Sequence, residues 1–172
     1  MADADGRMRV LVMGVGNTLL QDDGIGVHVT ESLRTAFPGT AAAPDPEFDL
    51  IDGGTIGLSL LPDIEDAAAV IVVDASEIGE APGTLRIFQD REIDQQLSGK
   101  RRTVHEVALA DLFAAAAIRG RSPARRALVA IQPASTDLGL DLTPEVQAAI
   151  PRAREAIIGL ARQWRAEASL DG

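Results

Sequence analysis

The sequence predicts an α/β protein: a three-layer α/β/α sandwich around a mostly parallel twisted sheet, with one edge strand allowed to run antiparallel. Three observations lead there. Short apolar runs closed by Gly or Asp alternate with stretches whose apolar residues recur every three or four positions, the pattern of strands joined by crossover helices. The run Ala69-Val70-Ile71-Val72-Val73 is apolar without a break, as a strand buried on both faces of a parallel sheet must be. No internal repeat is present, so a single layered unit is expected.

The elements follow in order. Met8 to Gly14 is an apolar run ended by Gly and reads as the first strand. Ile25, Val29 and Leu33 then mark an amphipathic helix that runs up to Phe37-Pro38, where Pro stops it. Residues 41–47 read as a loop. Phe48 to Asp52 reads as a second strand closed by Gly53-Gly54, and Leu58 to Ile64 as a short helix. Ala69 to Asp74 is the clearest strand. Pro82-Gly83 makes a turn, and Thr84 to Phe88 alternates partly, as an edge strand does. Glu106 to Ile118 is rich in Ala and Leu and reads as a helix, with Thr103 as its candidate cap. Ala127 to Ile131 is a further apolar strand. Thr143-Pro144-Glu145 has the features of a helix start: a capping hydroxyl, Pro in the first turn, and an acid at the positive end of the dipole. Val146, Ile150, Ala153, Ile157, Leu160 and Trp164 form the stripe that follows, and Pro151 either kinks this helix or marks its true start.

Composition removes several classes of function. Of 172 residues, 46% are apolar, enough for a sizeable core, and only 3% are aromatic, so that core is aliphatic. A net charge of −10 argues against nucleic acid or an anionic membrane as partner. Cysteine is absent, which excludes disulfides, thiolate metal sites and a cysteine nucleophile. No apolar stretch is long enough to insert in a membrane. Met1 to Arg7, small and acidic, read as a disordered leader and not as a secretory signal. The expectation is a cytoplasmic protein with one domain over residues 8–168.

In parallel sheets ligands bind at the carboxyl ends of strands, so the residues just after Met13, Ile51, Val73 and Ile131 matter most. Asp74 ends the most buried strand, where an acid is costly unless it caps a helix, meets water or binds a cation. Asp22 and Asp23 lie between the first strand and its helix. One can cap the helix; the other, a like charge beside it, is left for a cation to neutralise. Two histidines are present: His28, inside the first helix, reads as a surface residue, and His105 stands at a loop-to-helix junction. Asp52-Gly53-Gly54 is an ordinary turn sequence, although it too follows a strand. Asp23, Asp74 and His105 thus remain: the first two can converge at one sheet edge, and two carboxylates with an imidazole are suitable ligands for a divalent ion such as nickel or zinc. Asp74 and His105 are expected near the surface of a cleft.

Other chemistries find less support. Gly14-Val15-Gly16 after a strand invites a dinucleotide site, but Leu19 stands where the third glycine belongs, and Asp22-Asp23 would face the pyrophosphate. No phosphate-binding lysine motif exists; Lys100 is the sole lysine. The serines form no nucleophile elbow.

The run Gly14-Val15-Gly16-Asn17-Thr18-Leu19-Leu20-Gln21-Asp22-Asp23-Gly24-Ile25-Gly26-Val27 resembles the N-terminal signature of the nickel–iron hydrogenase maturation proteases. Asp52-Gly53-Gly54-Thr55 with Gly57 is similar to the family's second motif, Val72-Val73-Asp74-Ala75 to its third, and His105 with Leu109-Ala110-Asp111-Leu112 to its fourth. The likeness runs in order from Met8 to about Trp164. It implies a peptidase domain that removes the C-terminal extension of a hydrogenase large-subunit precursor after nickel insertion. It implies that Asp23, Asp74 and His105 gather around a metal, with Asp at the first position where the family also uses Glu. The resemblance further implies that the metal is nickel supplied by the substrate, with cadmium or zinc able to stand in its place. Asp23 and Asp74 are then the candidates for activating the attacking water. Gly16, Asn17, Asp52, Gly53 and Gly54 would form the substrate loops, with Gly53-Gly54 leaving room for a backbone to approach. The competing readings are a non-catalytic nickel-sensing module for the same partner, and a nucleotide-binding α/β protein.

Overall fold

The computed structural model describes residues 8–36, 48–55, 57–97 and 104–170. The leader at 1–7, the stop at Phe37-Pro38, the loop at 41–47, Lys100 and the Thr103 cap lie outside them. In chain order the elements are β1 (Val10–Val15), a 3₁₀ turn (Gln21–Gly24), α1 (Ile25–Ala36), β2 (Asp49–Gly54), a second 3₁₀ turn (Leu58–Leu60), α2 (Leu61–Asp66), β3 (Ala69–Ala75), β4 (Leu85–Gln89), α3 (Arg91–Leu97), α4 (Val104–Ile118), β5 (Arg125–Ile131), α5 (Pro144–Gln147) and α6 (Ile150–Leu170).

Among the described residues the strands form a five-stranded sheet in the order β2-β1-β3-β5-β4. β1 pairs parallel with both β2 and β3, and β3 pairs parallel with β5. β4 closes the edge antiparallel to β5, as expected for the partly alternating segment. The three central strands are covered on both faces, which is why their sequences hardly alternate. Val10 and Val12 of β1 pack with Ile25, Val29 and Leu33 of α1 and Ala153, Ile157 and Trp164 of α6. Leu11, Met13 and Val15 point the other way, to Ile64 of α2, Ile93 of α3, and Leu109, Leu112 and Phe113 of α4. The period of two along β1 thus feeds two cores, one on each side of the sheet.

Two local departures from the sequence reading have simple causes. α3 was not expected. Its segment, Arg91 to Leu97, holds just two apolar residues, Ile93 and Leu97, too few for a visible stripe, yet four apart and both buried. The helix that starts at Thr143-Pro144 is a single turn, and the long helix begins afresh at Ile150, so Pro151 marks a start and not a kink. Among the described residues no helix is long and apolar enough to cross a membrane.

β1 leads through α1 to β2 on one side, and the chain then returns to lay β3 on the other side of β1. The loops leaving β1 and β3 therefore diverge and open a crevice at their carboxyl ends.

Candidate active site

Asp23 enters this crevice from the loop after β1. Gly16 makes the turn possible: its φ is +131°, and a Cβ there would lie 1.8 Å from the Asp23 carbonyl oxygen. Its N–H donates to the Gly54 carbonyl at 2.9 Å, which ties the loop to the end of β2. The Asn17 backbone N–H donates to Asp23 Oδ2 at 2.8 Å, and Asn17 Oδ1 accepts the Leu19 N–H at 3.0 Å. One Asp23 oxygen is thus fixed by the loop, and the other, Oδ1, faces His105.

Asp74 comes from β3, next to the last residue of the strand, and is 1% exposed. The expectation that it lies near the surface is therefore wrong. β3 is the middle strand, covered on both faces, and Asp74 ends its run inside the crevice floor. Its carboxyl is pushed well above the ordinary range, first by burial, then by the nearby charges of Glu106 and Asp23.

His105 sits in the first turn of α4 with its side chain 11% exposed. Its Nδ1 is 3.6 Å from Asp23 Oδ1 and 3.8 Å from Asp74 Oδ1, too far for hydrogen bonds. Asp74 Oδ1 and His105 Nδ1 are both buried without a hydrogen-bond partner. Two donors at about 2.1 Å from a tetrahedral metal stand about 3.4 Å apart, so these distances are slightly expanded from a closed set. In keeping with that, no group of three or more His, Cys, Asp or Glu among the described residues is already arranged to hold a metal ion.

Asp22 turns the other way and caps no helix. It is fully buried, and its carboxylate accepts the N–H groups of Thr143, Ala134 and Ser135 at 2.7, 2.9 and 3.1 Å and the Thr143 hydroxyl at 2.9 Å. Thr143 occupies the cap position of α5, but its hydroxyl makes no cap and is given to Asp22 instead. The remote loop at 133–143 is in this way strapped to the segment that carries Asp23. Acidic side chains at the opening of α1 also leave no place for a pyrophosphate.

Asp52 is exposed, and its Oδ1 accepts the Gly54 N–H at 2.9 Å, the geometry of a local turn. A Cβ on Gly53 would meet Met13 Cγ at 2.8 Å, so the space beside Gly53 is taken by the core. The open position is Gly54, at φ +47° with nothing nearer than Asp52 Oδ1 at 4.0 Å. His28 lies in α1, partly buried, and joins no ion pair with the crevice acids.

Two further residues shape the site and were not singled out from the sequence. Glu106 adjoins His105, is 1% exposed and acts on Asp74 through its charge. In the sequence it is simply the first residue of the expected helix. Gln132, the residue just after Ile131, is buried; its Oε1 accepts the N–H groups of Ile78 at 2.9 Å and Gly79 at 3.0 Å, and its Nε2 donates to Glu77 at 3.0 Å. It holds the loop that leaves Asp74. Its signal was position alone.

Asp23, Asp74 and Glu106 are all buried; His105 Nδ1 stands between the first two, and Glu106 acts on Asp74 through its charge. Residues 8–160 match the family model described as hydrogenase maturation protease. The chain is 36% identical over 162 residues to the hydrogenase 2 maturation protease of Escherichia coli, covering 94% of this chain and 95% of that one. It is 38% identical over 160 residues to the hydrogenase expression/formation protein HupD of Rhodobacter capsulatus, covering 92% and 74%. Among solved structures it is similar to the hydrogenase maturating endopeptidase HybD from Escherichia coli, with a TM-score of 0.78, 37% identity and coverage of 91% and 93%. It is also similar to the [NiFe] hydrogenase maturation protease HybD from Thermococcus kodakarensis, with a TM-score of 0.75, 26% identity and coverage of 90% and 99%.

Proposed function

The chain belongs to the hydrogenase maturation protease family, and from that premise we propose that it removes the C-terminal extension of a nickel–iron hydrogenase large-subunit precursor once nickel is in place. In this reading the nickel is part of the substrate. Asp23 Oδ1, Asp74 Oδ1 and His105 Nδ1 close on it from one side, drawing in by a few tenths of an ångström from the spacings of 3.6 and 3.8 Å. The observation that carries this is the pair of buried, unpartnered donors, Asp74 Oδ1 and His105 Nδ1, facing each other across the crevice.

Neutral imidazole and carboxylate are acceptable ligands for nickel, and the precursor completes the coordination. The cation offsets the clustered acids and polarises oxygens bound to it, which is the chemistry amide hydrolysis requires. Asp74 is the candidate proton carrier, because burial first, then the charges of Glu106 and Asp23, push its carboxyl well above the ordinary range. Asp23, held by the Asn17 N–H, is the better fixed ligand.

The test is processing of a nickel-loaded and a nickel-free precursor by the purified chain. Cleavage of the loaded form alone is expected. His105→Ala should slow it by at least about a hundredfold, since losing a ligand costs no less than losing its outer support. Parental cleavage by His105→Ala would refute the assignment. Tight binding of the precursor without a product would point to a non-catalytic nickel-sensing module.

A further inference from the structure

Seven large apolar side chains are exposed among the described residues, and their placement is uneven. Four of them follow the carboxyl ends of strands, the edge that holds the crevice: Leu19 follows β1 on the loop that carries Asp23, Leu58 follows β2, and Leu138 and Leu140 follow β5. The other three lie elsewhere: Val107, two residues past His105, is on the opposite face of α4, and Ile118 and Leu170 end α4 and α6. Scattered exposed leucines need no explanation, but a group around one site does.

Leu19, Leu138 and Leu140 are also joined through backbone bonds. The Gly139 N–H donates to the Leu19 carbonyl at 3.0 Å and the Gln21 N–H to the Gly139 carbonyl at 2.9 Å, so Leu138 and Leu140 flank a backbone joint with Leu19. Asp22 fixes both ends of the same loop through Ala134, Ser135 and Thr143. Leu138, exposed by 85%, is therefore presented from a braced backbone. Beside the two leucines stand Asp137 and Asp141, exposed and without a cationic partner among the described residues.

We propose that this apolar rim is the docking surface for the protein substrate, with Leu138 and Leu140 as its main contacts. The inference rests on the reading above, in which the substrate is a folded precursor whose metal must reach the crevice floor. The surface that borders the crevice is then the one the precursor covers. An apolar centre with unpaired acids at its margin fits a precursor surface that is apolar and edged by Lys or Arg. The rim supplies affinity and leaves the chemistry to the crevice.

The experiment compares steady-state processing of the nickel-loaded precursor by the parental chain, by the double variant Leu138→Ser with Leu140→Ser, and by Ile118→Ser, which removes an equally exposed apolar side chain at the far end of α4. The double variant should raise KM by about tenfold or more, the size of effect expected from central interface residues, with kcat within about twofold. Ile118→Ser should match the parent. Because all three positions are exposed, melting temperatures should be unchanged. Equal kinetics for the double variant would overturn the docking proposal and leave the crevice assignment standing. A fall in kcat without a change in KM would overturn it as well. A double variant that processes normally but shifts from dimer to monomer in sedimentation would show that a second copy covers the rim, which also overturns it. Failure of the parental chain to cleave would overturn both proposals together.

Discussion

Asp22 receives both the backbone N–H and the hydroxyl of Thr143, at 2.7 and 2.9 Å, across 121 positions of sequence. These bonds join the first loop of the sheet to the last. They explain why two adjacent acids serve different ends: one is consumed by backbone donors, and the other is free to face the crevice.

Replacing Asp22 should therefore be costly although it touches no reacting group. Asp22→Asn turns an amide NH₂ toward N–H groups that need an acceptor, and a loss of about 2–3 kcal/mol is expected in urea unfolding at neutral pH. The pH dependence has a defined sign. Burial pushes the Asp22 carboxyl up, but the bonds from Thr143, Ala134 and Ser135 prevail and hold it below its ordinary value of 3.8. The folded state thus favours the carboxylate. The stabilisation is complete above the ordinary value and is lost as pH falls from there through the folded one. The gap between parent and Asp22→Asn should be widest at neutral pH and close in acid.

Asp74→Asn should separate stability from activity. The parental side chain is buried beside Glu106 and Asp23, with its carboxyl pushed up. A neutral isostere removes both the burial penalty and the repulsion. The variant should melt at or above the parental temperature at neutral pH while losing precursor cleavage. A melting temperature many degrees lower would mean that Asp74 is a structural residue.

Gly16→Ala should be far worse than Gly79→Ala, although both glycines have positive φ. At Gly79, φ +74°, a Cβ meets nothing within 4 Å, and about 1 kcal/mol is expected from the backbone alone. At Gly16 the Cβ would strike the Asp23 carbonyl oxygen, so the loop must move and carry Asp23 with it. A loss of about 3 kcal/mol or more, together with loss of cleavage, is expected by chemical denaturation and the processing assay.

Gln132→Ala should loosen the loop after β3. The Ile78 and Gly79 N–H groups lose a buried acceptor, for a cost of about 2 kcal/mol. Faster amide hydrogen exchange at 78–80, with the rest of the sheet unchanged, would be the signature.

Much of the fold is legible in the sequence because burial on both faces writes long apolar runs. β1, β3 and β5 stand out for that reason, and their order in the chain with helices between them implies parallel pairing. Partial alternation from Thr84 to Phe88 marked an edge strand, which runs antiparallel to β5. α3 was hidden because two buried residues make no periodic signal. Asp23, Asp74 and His105 stood out in the sequence as chemistry out of place: one of two adjacent acids, an acid ending a buried strand, and a histidine at a helix start. The depth of Asp74 was not, since a strand-end position does not say how far the covering loops rise above it. Glu106 and Gln132 escaped for a related reason. Their roles exist only in the partners that the fold brings to them, a strand-end carboxyl in one case and loop N–H groups in the other. Thr143 shows the converse. Its sequence context spelled a helix cap, and a buried carboxylate from the other end of the chain claimed the hydroxyl instead.

The proposed grip of Asp23, Asp74 and His105 on one transition-metal cation is tested most directly by a crystal structure of the chain soaked with cadmium. Anomalous density is expected in the crevice bonded to Asp23 Oδ1, Asp74 Oδ1 and His105 Nδ1, with the His105 contacts drawn in from 3.6 and 3.8 Å. A fully occupied ion elsewhere, with these side chains unmoved, would contradict it.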